Sequence, residues 1–290
     1  MFPVSPAVRL SAAAATLTTA LAATPAAIAN EPWPARVQAL YDIDFNGLNV
    51  GTFEFASNHD GTSYTLNGAG RLSLLLGAIK WSGDTRTTGQ FAGDNTQPKS
   101  FTFGYAGTTK SGSTRMAFAG NQVTQVLHEP PSPPKDGIVP VQPQHLSGVL
   151  DPLTAIMAIA KGTDGNPCQR RIPIYDGKAR FDLVLSPRGM VRLSEQKPSG
   201  QPGEGYVCRV KYVPIAGHKA DQETKHMAQS EGIEIVLRPI PSANVFVPYK
   251  ITVPTVAGSA TITSRRVEIT TPQRQQIALA RAFFGCPKVI

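Results

Sequence analysis

The clearest signal along the chain is alternation of apolar and polar residues with a period of two, broken at short intervals by turn residues. In residues 37–46, VQALYDIDFN, the residues Tyr41, Ile43 and Phe45 alternate with Leu40, Asp42 and Asp44. This is the pattern of a strand with one face buried. Asn46-Gly47 follows, a pair that tolerates positive φ and suits a two-residue hairpin, with residues 50–55 returning. Asp60-Gly61 makes the next turn, and residues 63–66, 70–76, 79–91, 99–105, 113–119 and 122–127 continue as antiparallel strands. The stretch 129–143 contains Glu129-Pro130-Pro131-Ser132-Pro133-Pro134 and cannot sit in a central strand, because proline lacks the ladder donor. It reads as a crossing loop. Beyond it, segments 170–175, 179–186, 189–195, 205–213, 233–238, 245–253 and 258–269 resume the strand pattern, with Asp176-Gly177 as a turn.

Two segments depart from that period. Residues 151–162, DPLTAIMAIAKG, read as a helix spanning about 152–161. Asp151 serves as N-cap, Pro152 fits the first helical position, Lys161 suits the C-terminal dipole, and Gly162 can take the left-handed stop. Between its ends the segment is apolar on nearly every side, which marks a buried helix. The second is Gln273 to Phe284, which follows Thr271-Pro272 and reads as a closing helix with Ile277, Ala280 and Phe284 on one stripe. Many strands with only two short helices point to an all-β chain. Its simplest architecture is one large curved antiparallel sheet, a β-spiral or open barrel, around the helix at 152–161.

The N-terminus is patterned differently. Arg9 is followed by an Ala-rich apolar run from Leu10 to Ala23, a proline at position 25, and Ala27-Ile28-Ala29 as a small-x-small cleavage site. This is the layout of a secretory signal peptide, too short to serve as a spanning helix. Residues 1–29 are therefore expected to be removed near Ala29. Residues 30–290 then form a single exported domain without a transmembrane segment, with a periplasm as the natural setting.

Composition sharpens this picture. The 290 residues include 26 Gly and 25 Pro, and only 17% are charged, which fits many short elements joined by tight turns. Of the three cysteines, Cys168 precedes one expected strand and Cys208 lies within another, so they are the favoured disulfide pair, with Cys208–Cys286 as the rival. An exported chain can keep either bond. The formal charge of +8 comes from dispersed residues such as Arg170-Arg171, Arg209 with Lys211, and Arg265-Arg266. Export argues against nucleic acid as a partner and favours weak attraction to envelope polyanions.

Known catalytic patterns are missing: no GxSxG, HExxH, phosphate loop or dinucleotide fingerprint is present. His218 and His226 share a polar stretch without a third ligand at useful spacing, so they read as a surface pair rather than a metal site. Asp42 and Asp44 lie on one strand face and read as outward-facing carboxylates. No cofactor is expected. Leu72, Leu74, Leu76, Leu153, Ile156, Met157 and Ile159 could line an apolar ligand cavity or fill the core.

The residues Tyr41-Asp42-Ile43, Val50-Gly51, Leu150 to Ala155 and Tyr175-Asp176-Gly177 together resemble an uncharacterised proteobacterial family of exported proteins, a domain of unknown function, over roughly residues 38–270. That family is in turn distantly similar to periplasmic envelope-integrity proteins whose sheet curls into an open β-spiral around a helix. The resemblance implies that shape and supplies no catalytic residues. The expectation is a non-catalytic periplasmic protein that supports the cell envelope by binding an envelope protein or a lipidic ligand. The alternative is a carrier of lipid or lipoprotein acyl chains.

Overall fold

The computed structural model describes residues 33–92, 95–131, 136–162 and 165–282. Residues 1–29, expected as a signal peptide, residues 132–135 of the expected crossing loop, and Cys286 lie outside them. The first half is a meander of seven strands: β1 (Arg36–Phe45), β2 (Leu48–His59), β3 (Ser63–Leu74), β4 (Ile79–Ala92), β5 (Asn95–Gly107), β6 (Ser111–Ala119) and β7 (Gln122–Glu129). Helix α1 (Pro152–Ala160) comes next. β8 (Arg170–Tyr175), β9 (Arg180–Arg192) and β10 (Glu204–Ala216) follow it, then helix α2 (Gln222–Gln229). β11 (Glu234–Ile240), β12 (Val245–Thr255), β13 (Gly258–Thr270) and β14 (Gln276–Ala280) complete the described chain.

These fourteen described strands form one antiparallel sheet. Its order runs from β7 back to β1, then to β13, and on down to β8, with β14 paired to β13 alone. The ends of the meander thus meet in the middle, where β1 pairs with β13 from Arg36↔Thr270 to Phe45↔Ala260. The sheet curls, but its edge strands β7 and β8 do not pair with each other. Residues 147–150 stitch across the seam: Val149 N–H donates to Asn121 O (3.1 Å), Leu150 N–H to Pro173 O (2.9 Å) and Tyr175 N–H to Leu150 O (2.9 Å). Phe101, Met116, Val123, Val149 and Tyr175 pack into one buried cluster across that seam.

Helix α1 enters the interior directly from the stitch, and it is held at both ends. Asp151 accepts hydrogen bonds from the N–H groups of Leu153 (3.0 Å) and Thr154 (3.1 Å), satisfying two of the free donors of the first turn. Its carboxylate also accepts from Thr87 Oγ1 on β4 (2.7 Å) and from Thr154 Oγ1 (2.6 Å). Thr154 in turn lies 3.2 Å from the Tyr64 hydroxyl on β3. At the other end the Arg170 guanidinium donates to the carbonyls of Ala158 (2.7 Å), Ile159 (3.1 Å) and Lys161 (2.8 Å). Five backbone groups that would be costly to bury unpaired are thereby satisfied. Cys168, two residues before Arg170, is bonded to Cys208 on β10. Closing a loop of 40 residues is worth roughly 4 kcal/mol in the chain-entropy model.

Three sequence expectations are corrected, the simplest being that residues 179–186 and 189–195, expected as separate strands, run together as β9 (Arg180–Arg192). The closing helix over residues 273–284 is instead strand β14, reached through a tight turn in which Gln275 N–H bonds Thr271 Oγ1 (3.1 Å) and Arg274 has φ +63°. Ile277 and Leu279 are buried while Gln276 and Ala278 are exposed, so the operative period is two. The lower half of β13, beyond the stretch that pairs with β12, takes β14 as its partner. Phe284 lies outside the described residues. The second helix is α2, capped by Asp221, whose side chain accepts from Thr224 N–H (3.0 Å). Residues 63–66 and 70–74, expected in separate strands, run as the single β3 through two glycines on its inner face, while Leu75 and Leu76, expected in the second strand, fall in a 3-10 turn. A Cβ on Gly68 would meet Leu153 of α1 at 3.2 Å, and one on Gly70 would meet the Trp81 ring at 3.1 Å. Those glycines make room for the helix and the ring rather than ending the strand.

Removing the Asp151 side chain breaks the cap and leaves Thr87 and Thr154 without their acceptor in the interior. Asp151→Ala is expected to lower stability by about 2–4 kcal/mol, and Thr87→Val by about 1 kcal/mol. Urea denaturation followed by circular dichroism checks both.

Candidate functional site

Beside α1, on the β9–β13 side, the curled sheet encloses a cavity of about 390 Å³. Ile156 and Ile159 form its helical wall. Tyr41, Phe53 and Phe55 come from β1 and β2; Leu183, Leu185, Val210 and Tyr212 from β9 and β10. Ile235, Pro248, Ile251, Val253 and Ile262 come from β11 to β13, with Ile233 just before β11 and Met227 from α2. The strand side chains reach one space because alternate residues point inward: Ile233 and Ile235, Ile251 and Val253, Leu183 and Leu185. The only polar side-chain atoms these residues own are the hydroxyls of Tyr41 and Tyr212. Burial holds both phenols above their ordinary value, with the charge of Asp176 adding to the effect at Tyr212. Neither supplies a base or nucleophile near neutral pH, so the space suits hydrocarbon.

The lining has a closed end and an open one. Phe55, Ile159, Leu185, Val210 and Ile235 are buried, whereas Phe53, Tyr212, Ile251, Val253 and Ile262 are half-buried. Within β2, β9 and β10 the half-buried member (Phe53, Leu183, Tyr212) lies nearer the end of the sheet that carries the β1–β2 and β12–β13 hairpin tips, and the lining residues of β12 and β13 are all half-buried. The cavity therefore opens toward those tips and toward α2. A larger depression, about 550 Å³, lies on the outer face of β1–β5 beside Gln38, Glu54, Asp84, Arg86 and Glu268. It is a solvent-facing saddle whose charges are partly paired, as in Arg71–Asp84 (2.8 Å).

Of the residues singled out in the sequence, Ile156 and Ile159 line the cavity. Leu153 and Met157 turn the opposite way and pack with Tyr64, Leu66 and Val267 in the core. Leu72 and Leu74 continue the inner face of β3 but are half-buried near its end, apart from the cavity. The Leu76 side chain lies outside the description. The cavity wall from β9 to β13 was missed because each strand contributes only one to three of its residues. The alternation in Ile233-x-Ile235 and Ile251-x-Val253 was its available signal.

The charged candidates have structural roles. Asp42, expected to face solvent, is buried: it is ion-paired with Arg265 and, at 3.1 Å, with Arg281, which joins β1 and β13 to the segment after β14. Asp44 stays half-exposed and accepts from Asn49 Nδ2 (3.2 Å). The Asp151 carboxyl is pushed up by burial, against the hydrogen bonds from Thr154, Thr87 and Leu153 that favour its charge. His218 lies shortly before α2 and His226 within it; the Nδ1 of the first and the Nε2 of the second are buried without a partner. Among the described residues no three His, Cys, Asp or Glu side chains come together as a metal set. No helix among them is long and apolar enough to cross a membrane.

A family model described as a protein of unknown function, DUF3108, matches residues 40–265. The chain belongs to this family. No curated protein and no solved structure matches it. The matched span runs from β1 into β13 and so takes in α1, the stitch, the disulfide and every lining residue of the cavity of this DUF3108 chain.

One buried ion pair gives a pH signature. Burial alone would raise the Glu195 carboxyl, but the Arg238 guanidinium and the Ser199 N–H (2.9 Å) outweigh it and hold the group below its ordinary value. Arg238 is only 3% exposed and also donates to Pro202 O (3.0 Å). A lowered native value means the unfolded chain binds more protons as the pH drops. The pair's contribution is complete above the ordinary glutamate range and is lost as pH falls through the lowered native value. Thermal melts from pH 7 to 3 are expected to fall more steeply for the wild type than for Glu195→Gln.

Proposed function

We propose that this protein is a non-catalytic binder of an apolar, lipidic ligand, held in the cavity beside α1. The single observation that carries the reading is an interior space of about 390 Å³ whose lining side chains are apolar apart from two tyrosine hydroxyls. That volume lies within the usual range of small-molecule sites and is more than twice the roughly 150 Å³ of an engineered apolar cavity that takes up benzene. The absence of an acid, base or nucleophile from the lining favours binding over chemistry.

The setting we propose is a bacterial periplasm. The signal-like pattern of residues 1–29 and the Cys168–Cys208 bond both suit an oxidising, exported location. There the ligand would be a lipid or a lipoprotein acyl chain, and the role would be support of the cell envelope. The resemblance of the sequence to envelope-integrity β-spirals is an expectation in keeping with this role.

Fluorescence titration with the apolar probe 1-N-phenylnaphthylamine tests the reading. The expected result is saturable binding of one probe per chain, displaced by palmitate. Ile156→Trp, which fills the cavity from the helix side, is expected to weaken probe binding at least tenfold while circular dichroism stays unchanged. Cavity filling of this kind commonly adds about 0.5–2 kcal/mol of stability. No probe binding by the wild type, or undiminished binding by the folded variant, contradicts the proposal.

A further inference from the structure

Large apolar side chains exposed to solvent are few among the described residues, and four of the seven sit together. Leu48 (72% exposed), Leu75 (73%), Ile79 (46%) and Val256 (57%) occupy the tips of the β1–β2, β3–β4 and β12–β13 hairpins. In the strand order β4-β3-β2-β1-β13-β12 these are successive tips at one end of the sheet. It is the end toward which the apolar cavity opens. Of the other three, Leu127 lies on edge strand β7, and Met190 and Val191 lie at the far end of β9.

Charge sorts in the same way. The hairpin-tip segments 46–50, 73–80, 107–111 and 255–259 contain Lys80 and Lys110 and no Asp or Glu; the acidic residues at this end, Asp221, Glu223 and Glu231, lie apart from them on the β10–β11 connection around α2. Both lysines are exposed. The nearest carboxylate on β1, Asp44, is engaged by Asn49 (3.2 Å). The tips are also locked to one another. Asn46 N–H donates to Ser259 O and Asn46 Oδ1 accepts from Ser259 N–H, both at 2.9 Å. Lys80 N–H donates to Thr108 Oγ1 and Thr108 N–H to Lys80 O, both at 3.0 Å. Finally, Leu75 has φ +50°, a left-handed backbone that a leucine adopts at a cost, and the strained residue is the most exposed large apolar side chain described.

We infer that these hairpin tips form a docking surface for a lipid bilayer with anionic headgroups. Leu48, Leu75, Ile79 and Val256 enter the headgroup–acyl boundary, and Lys80 and Lys110 pair with headgroup phosphates. Exposed apolar tips without acidic residues, on a rigid frame, match the demands of an interfacial site: apolar area to bury and positive charge to attract. The lysines favour an anionic surface, and continuity of the apolar tips with the mouth of the hydrocarbon-lined cavity makes a bilayer, whose acyl chains would lie within reach of the interior, the fitting occupant. The docking surface stands on the tips alone. Its use in loading the cavity rests on the ligand reading above.

Vesicle co-sedimentation of the full chain tests it, with vesicles of phosphatidylethanolamine and phosphatidylglycerol compared against phosphatidylcholine alone. Binding is expected to the anionic vesicles, and to weaken as salt is raised. Lys80→Gln with Lys110→Gln should cost about fivefold per lysine. Leu75→Asn combined with Val256→Ser should reduce binding about tenfold or more. Asn tolerates the left-handed backbone, so the melting temperature of that variant should hold or rise, separating lost docking from lost folding. Failure to bind anionic vesicles, or binding unchanged by the apolar substitutions, overturns the docking surface. Equal binding to phosphatidylcholine, or insensitivity to the lysine substitutions, overturns the pairing with phosphate. Probe binding without vesicles reads the cavity separately: its failure alongside intact vesicle binding removes the ligand reading and leaves the docking surface standing.

Discussion

Everything in this fold depends on a helix anchored inside a sheet that does not close on itself. An antiparallel sheet this large must curl, and its edges β7 and β8 must be protected. The chain meets both needs at one place. Residues 147–150 satisfy backbone groups beside both edges, and the next residue, Asp151, turns the chain inward and caps α1. Asp151 is fully buried and Arg170 half-buried, and burial works against the charge of each. The cost is offset because each engages several partners at once: Asp151 two backbone N–H groups and two hydroxyls, Arg170 three carbonyls. A buried charge stripped of such partners would be strongly destabilising, which explains why the seam, the helix and the disulfide at Cys168 form one unit.

From that anchor the interior divides. One side of α1, with Leu153, Met157 and Ala160, packs against the β1–β4 half of the sheet and is filled. The other side presents Ile156 and Ile159 to the β9–β13 half, where the space remains open. A short helix cannot fill the whole width of so wide a curled sheet. Filled core and hollow site are therefore two faces of one element. The apolar tips lie at the open end of the hollow side, so an acyl chain leaving a bilayer there would meet hydrocarbon along its path.

The sequence made much of this legible. Period-two alternation and hairpin pairs such as Asn46-Gly47 located most strands. The Asp-Pro start and all-apolar body of residues 151–160 revealed a buried helix, and hence a curled sheet. What it concealed was relational. The segment 273–284 satisfied helical and strand patterns alike, and only the unpaired lower half of β13 selects the strand. Asp42 looked solvent-facing because Arg265 and Arg281 lie more than two hundred residues away. The cavity wall escaped notice because a hollow is defined by what several strands leave unfilled, and a single strand carries no record of it. Gly68 looked like an interruption because its reason, the approach of Leu153, lies on another element.

The central claim is that the hollow beside α1 holds an apolar ligand, and the most direct measurement is native mass spectrometry of the protein purified from its own host. The account expects a population carrying one noncovalently bound molecule that extracts into organic solvent and is identifiable as a lipid or acyl species. A protein that emerges entirely ligand-free, or whose bound molecule is polar and water-soluble, would contradict it.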